Sequence, residues 1–170
     1  MTGTTETRPG GDEPTGAQVV TMLIGDQLFA IDAMRVREII DPAGVTRVPT
    51  ADPFCEGLIN VRGAVAPLVD FRVPFRMERR PAGPDARIVV LDLRVGSEDL
   101  SVGLLADKVL DVAVIDDARV DPPPDVGSRW PPHCVRGIGR HEGAFVVLPH
   151  LENIFASSAH GGVQGAAQHS

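Results

Sequence analysis

The sequence predicts an all-β protein, mainly strand with short helices, made of two related halves that each form a small β-barrel. Three observations carry this. Short apolar runs are punctuated throughout by 18 Gly and 15 Pro, the rhythm of short strands and tight turns. A glycine-bracketed motif occurs twice, as Gly57 and Gly63 before the apolar run 64–71, and as Gly137 and Gly143 before the run 144–148. A second segment also repeats. Asp26 meets Asp99, Ala30 meets Gly103, Ile31 meets Leu104 and Ala33 meets Ala106. Further along, Arg35 meets Lys108, Val36 meets Val109, Glu38 meets Asp111 and Ile39 meets Val112. Two segments repeating at shifts of 73 and 80 residues argue for duplication over chance.

Each element follows from local chemistry. Residues 1–16 are Thr-, Gly- and Pro-rich without apolar periodicity and read as a disordered tail, as do 157–170, leaving one ordered domain over 17–156. Residues 19–24 form a β-prone apolar run, Gly25-Asp26 a turn, and 27–31 a strand pairing back as a hairpin. Asp32 is placed to cap a short helix over 33–40, with Met34, Val36, Ile39 and Ile40 available for burial and Pro42 and Gly44 ending it. Residues 45–48 are extended before Pro49. The stretch between Gly57 and Gly63 reads as a short polar connector, with Asn60 capping it through side-chain to backbone bonds and both glycines serving turns. Strands follow at 64–71, 87–94, 100–105 and 107–115. Residues 121–132 form a proline-rich loop anchored by Trp130. Residues 144–148 are the last strand and 151–155 a terminal helix.

Composition narrows the function classes. A 43% hydrophobic fraction supplies a core, and with 4% aromatics that core is mostly Val, Leu, Ile and Ala. The net charge of −7 opposes nucleic acid as the main partner, because phosphate binding needs clustered Lys and Arg. Arg72, Arg76, Arg79 and Arg80 form a basic run, but with only Phe71 and Phe75 nearby they read as a solvated loop. No apolar run approaches the roughly 20 residues that span a bilayer. No signal peptide is evident at the N-terminus. Two cysteines, Cys55 and Cys134, then fit packed thiols in a reducing cytosol.

Catalytic signatures are missing from the pattern. No nucleophile elbow, phosphate loop or dinucleotide fingerprint occurs, and the two glycine motifs share no catalytic group. His133, His141 and His150 lack metal-ligand spacing along the chain, so neither metal nor cofactor is expected. A repeated scaffold without shared chemistry points to binding, with a nucleic-acid-binding small barrel or another protein-interaction module as the alternative.

The residues also carry a family resemblance. Leu28-Phe29-Ala30-Ile31-Asp32 precedes Val36-Arg37-Glu38-Ile39-Ile40; Val45-Thr46-Arg47-Val48-Pro49 and Pro53-Phe54-Cys55-Glu56-Gly57 follow. The most specific part is Asn60-Val61-Arg62-Gly63 with Pro67 and Asp70-Phe71-Arg72. Together they resemble the CheW-type coupling proteins of bacterial chemotaxis over nearly the whole ordered part. The second half matches less well, with Pro149-His150 where the family often ends its last strand in an acid.

The resemblance implies two five-stranded β-barrel subdomains around a shared core. It implies a cytoplasmic, non-enzymatic adaptor between methyl-accepting chemoreceptors and the histidine kinase CheA, reaching the membrane through its partners. The kinase's regulatory domain shares the fold, so adaptor and kinase can join pseudo-symmetrically. By the same resemblance Glu38 and Arg62 matter for coupling and face each other as an ion pair, where the plainer reading is a surface salt bridge. Val36, Ile39 and Leu58 are core by default; by resemblance some line a groove for the receptor's helical tip. Gly57 is structural first, and a partner surface approaching closely there is the second reading.

Overall fold

The computed structural model describes residues 16–47, 54–123 and 130–158. The expected tails lie almost wholly outside these residues, as do Val48, Pro49, Pro53 and much of the proline-rich loop. Strands β1 (Ala17–Ile24) and β2 (Gln27–Asp32) form the expected hairpin, with Ile24 opposite Gln27 and Gly25 at φ 65.

The expected helix over 33–40 does not form. The Asp32 carboxylate does accept the Met34 N–H at 3.0 Å, but it caps only a 3-10 turn, Ala33–Arg35. The chain then enters β3 (Val36–Ile40). Val36, Ile39 and Ile40 are β-branched and stiff at χ1, which favours a pleated strand. An isolated helix of this length is also marginal, whereas β3 gains a ladder along a neighbouring strand.

The connector between the glycines is a strand as well. β4 (Cys55–Val61) pairs antiparallel with β5 (Ala64–Val69), and only Arg62 and Gly63 make the turn. Both have positive φ, 53 and 88, the requirement of a type I′ hairpin. In the second copy β9 (Val135–His141) pairs with β10 (Ala144–Pro149) across Glu142 and Gly143, at φ 51 and 81. The first glycine of each motif serves a different need. A Cβ on Gly57 would lie 2.5 Å from the Thr46 carbonyl oxygen, and one on Gly137 would lie 2.4 Å from Val120 Cγ1 and 3.0 Å from the Asp121 carbonyl oxygen. These contacts adjoin two matching isolated bridges, Thr46 with Leu58 and Asp121 with Ile138, each closed by hydrogen bonds of 2.9 and 2.8 Å.

The remaining strands are β6 (Arg87–Val95), β7 (Glu98–Ala106) and β8 (Lys108–Ile115), followed after β10 by one helix, α1 (Leu151–Ser158). They assemble into two five-stranded sheets of order β8-β1-β2-β10-β9 and β3-β6-β7-β5-β4. Adding five to each strand number of one sheet, cyclically, gives the other. The duplication is therefore real, but the halves interlock: each sheet takes a hairpin from one half and three strands from the other. Each exchanged hairpin pairs antiparallel on one side, β1 with β8 and β6 with β3, and parallel on the other, Val147 opposite Phe29 and Leu68 opposite Gly103. The strand ladders stay open rather than closing into full barrels, and the isolated bridges span towards the open edge.

The core follows this plan. One aliphatic cluster fills the first sheet (Val19, Ala30, Ala113, Ile115, Val146, Leu148) and another the second (Ile59, Val61, Ala66, Leu68, Ile88, Val90). Between the sheets lies the largest cluster, mostly aliphatic but holding the aromatics: Phe29, Phe54, Phe71, Phe75 and Phe155 pack with centroids 5.0–6.3 Å apart. Such pairs add to their burial energy by edge and offset contacts. Phe71 and Phe75 sit one repeat before Leu151 and Phe155, so the turns after β5 answer to α1.

The basic run is only partly solvated. Arg72 is 2% exposed and bonds Asp70 at 3.4 Å and Asp107 at 2.5 Å. Asp107 also accepts the Gly25 N–H at 2.6 Å. The guanidinium thus ties the segment after β5 to the β7–β8 connection and, through Asp107, to the β1–β2 turn, an environment that the adjoining exposed arginines concealed in the sequence.

Candidate functional site

Glu38 lies on β3 and Arg62 at the β4–β5 turn, and these are opposite edges of one open sheet. Curling of the sheet brings the edges together, and Arg62 Nε donates to Glu38 Oε2 at 3.0 Å across the seam. Glu38 is mostly covered, its side chain 20% exposed, whereas Arg62 is 78% exposed. The hydrogen bond and the charge of Glu38 push the Arg62 guanidinium above its usual range, so it is a permanent cation held in one place. Asn60 Oδ1 accepts the Gly63 N–H at 2.8 Å and fixes the turn that presents Arg62.

The other expected residues take different positions. Ile39 is 43% exposed beside Glu38 and joins the rim. Val36 packs against the shared core, and Leu58 is held by its bridge to Thr46. Gly57 is buried, with the chain's own backbone filling the space next to it. Gly63 and Gly143 hold turns, and Gly137 makes room for Val120 and Asp121.

Sequence reasoning missed several exposed apolar side chains. Val65 and Phe145 are 55% and 60% exposed, and they occupy equivalent places, the second residue after each turn glycine. Val112, equivalent to Ile39, is exposed too, with Leu110 and Val114 beside it on β8. The Arg140 guanidinium lies 4.8 Å from the Phe145 ring centre. The repeat carried the signal: once Ile39 and Val65 are placed on one rim, Val112 and Phe145 must lie on the other.

None of these side chains lines the clefts beside His150, Met77, Arg94 and Arg79. One, of about 320 Å³, is bordered by Ile31, Asp32, Arg35, Arg136, His150 and Glu152, with Arg35 and Glu152 paired at 2.5 Å. Cys55 and Cys134 are buried thiols, and burial pushes the Cys134 thiol up, opposed by the charge of Arg76. No helix among the described residues is long and apolar enough to cross a membrane.

Two five-stranded sheets joined through an aromatic junction, with their distinctive side chains on open seams and not in a cleft, define a two-subdomain β module that presents surfaces. Comparison with known proteins identifies which. The CheW-like domain model matches residues 18–159. The chain is 36% identical over 142 residues to the chemotaxis protein CheW of Rhizobium meliloti, covering 84% of this chain and 89% of that one. It is 30% identical over 137 residues to the chemotaxis protein CheW of Helicobacter pylori, covering 81% and 80%. Among solved structures, the scaffolding protein TtCheW from Thermoanaerobacter tengcongensis superposes with a TM-score of 0.74 at 26% identity, over 85% of this chain and 90% of that one. The chain belongs to the CheW family.

Proposed function

We propose that this protein is a non-enzymatic chemotaxis adaptor that couples methyl-accepting chemoreceptors to the histidine kinase CheA from the cytoplasm. The observation that carries the reading is the Glu38–Arg62 pair. It joins the two edges of a seam with an exposed guanidinium, it is oriented by Asn60, and it is flanked by exposed Ile39 and Val65. A fixed cation bordered by apolar side chains suits a protein surface, where a charge sets register and the apolar rim supplies burial. The partners are the regulatory domain of the kinase and the cytoplasmic tip of the receptor. Val36, Gly57 and Leu58 support the same surface from beneath.

Co-purification of the protein with the kinase regulatory domain and a receptor cytoplasmic fragment tests this. A ternary complex at micromolar concentration is the expected result, weakened by Glu38→Ala with the fold retained by circular dichroism. Absence of any complex would count against the adaptor role.

A further inference from the structure

We propose that Asp111, His141 and Glu142 form a binding site for one divalent first-row transition-metal ion of the zinc class. Asp111 lies on β8, His141 ends β9, and Glu142 opens the turn to β10. The fold joins them at the seam of the first sheet, and one ligating atom from each lies within 4.8 Å of the others. His141 Nε2 is 3.6 Å from both Asp111 Oδ2 and Glu142 Oε2. That is too long for a hydrogen bond, and the nitrogen is shielded from solvent without a hydrogen-bond partner. Donors bound to one zinc at about 2.0–2.2 Å stand roughly 3–3.5 Å apart, so a small closure sets all three on one ion.

The carboxylate is already oriented. Thr21, fully buried on β1, donates its hydroxyl to Asp111 Oδ1 and accepts the Asp111 N–H at 3.2 Å, which leaves Oδ2 towards His141. Outer partners of this kind fix metal-ligating side chains. Among the described residues Thr21 is one of three buried polar or charged side chains; the other two belong to the Arg72 cluster.

The first half shows what the seam requires. Glu38 is equivalent to Asp111 and Arg62 to Glu142, and there a guanidinium answers the carboxylate. In the second half both positions are acidic. Among the described residues, neither Asp111 nor Glu142 pairs with Lys or Arg. A bound dication would neutralise the two carboxylates and staple β8 to β9, which share no ladder. One imidazole with two carboxylates selects zinc-like ions over magnesium, and water completes the open positions.

Calorimetric titration of the full chain with Zn²⁺ alone, and with Mg²⁺ in parallel, tests the site. One equivalent of Zn²⁺ is expected to bind and to raise the melting temperature, with Mg²⁺ giving neither effect. His141→Gln and Glu142→Asn should each weaken binding about tenfold or more, on the scale of losing even an outer partner. Asn is chosen because it tolerates the positive φ of position 142. His133→Ala and the His160→Ala/His169→Ala double variant should bind as the parent does. No saturable Zn²⁺ binding, binding undiminished in the His141 and Glu142 variants, or equal affinity for Mg²⁺ would overturn the proposal.

Discussion

In the first half of the molecule the side chain that reaches from the segment after β5 to a distant hairpin is Arg72, and it meets Asp107. In the second half the equivalent residue is Glu152 on α1, and it meets Arg35 in the turn after β2. The geometry is shared and the polarity reversed. What differs is solvent: Arg72 is 2% exposed, while Glu152 and Arg35 are both more than a third exposed. The seams differ in another way. Glu38 and Arg62 balance each other, whereas Asp111 and Glu142 converge on His141. Duplication preserved the scaffold at both ends, and the charges that face solvent were free to diverge.

Substitutions at equivalent positions can break or sharpen that contrast. The largest effect is expected at the junction. Arg72→Met takes the cation from buried Asp70 and from Asp107, which is 29% exposed, and should cost about 3 kcal/mol in urea unfolding, the lower end for a broken buried pair. Glu152→Gln should cost less than about 1 kcal/mol, as for an exposed one. Equal costs would show that burial is not what separates the two. Next are the glycines. Gly57→Ala drives a methyl group into the Thr46 backbone and should fall at the upper end of the about 1–3 kcal/mol typical of overpacking. Gly137→Ala meets the Val120 side chain first and should fall at the lower end, a difference readable in the urea midpoints. The smallest effect is at Cys134. Its thiol titrates higher when folded than when unfolded, so folding favours the neutral form. The stability this contributes is present below the ordinary thiol range and lost as pH rises through the folded value. Cys134→Ala should therefore flatten the alkaline fall of stability, and an unchanged slope would place the cause elsewhere.

Much of this architecture was legible in the chain. The β1–β2 hairpin, the strands β5 to β8 and β10, and α1 announced themselves by apolar runs between turn residues. The segment after Asp32 misled because a good cap and Met34, Val36, Ile39 and Ile40 at near-helical spacing imitate a helix, while β-branching and strand pairing decide otherwise. β4 and β9 were hidden because their inward positions include Gly57, Gly137 and Gly139, which interrupt the apolar alternation. The exchange of strands was out of reach, since a repeat reports similarity and not which sheet receives each copy. At the site, the Glu38–Arg62 pair came from family resemblance and its geometry agrees. The Asp111–His141–Glu142 cluster could not be read, because its members lie on β8 and at the β9–β10 turn, which meet only when the first sheet curls.

Receptor-dependent activation of the kinase, reconstituted with Arg62→Asn and in parallel with Glu142→Asn, most directly tests whether coupling is concentrated at the first seam. Both residues sit at positive φ in equivalent turns, and Asn suits both. The expected result is a several-fold loss of activation for Arg62→Asn, with parental unfolding behaviour, and near-parental activation for Glu142→Asn. Parental activation by the Arg62 variant, or an equal loss in both, would contradict it.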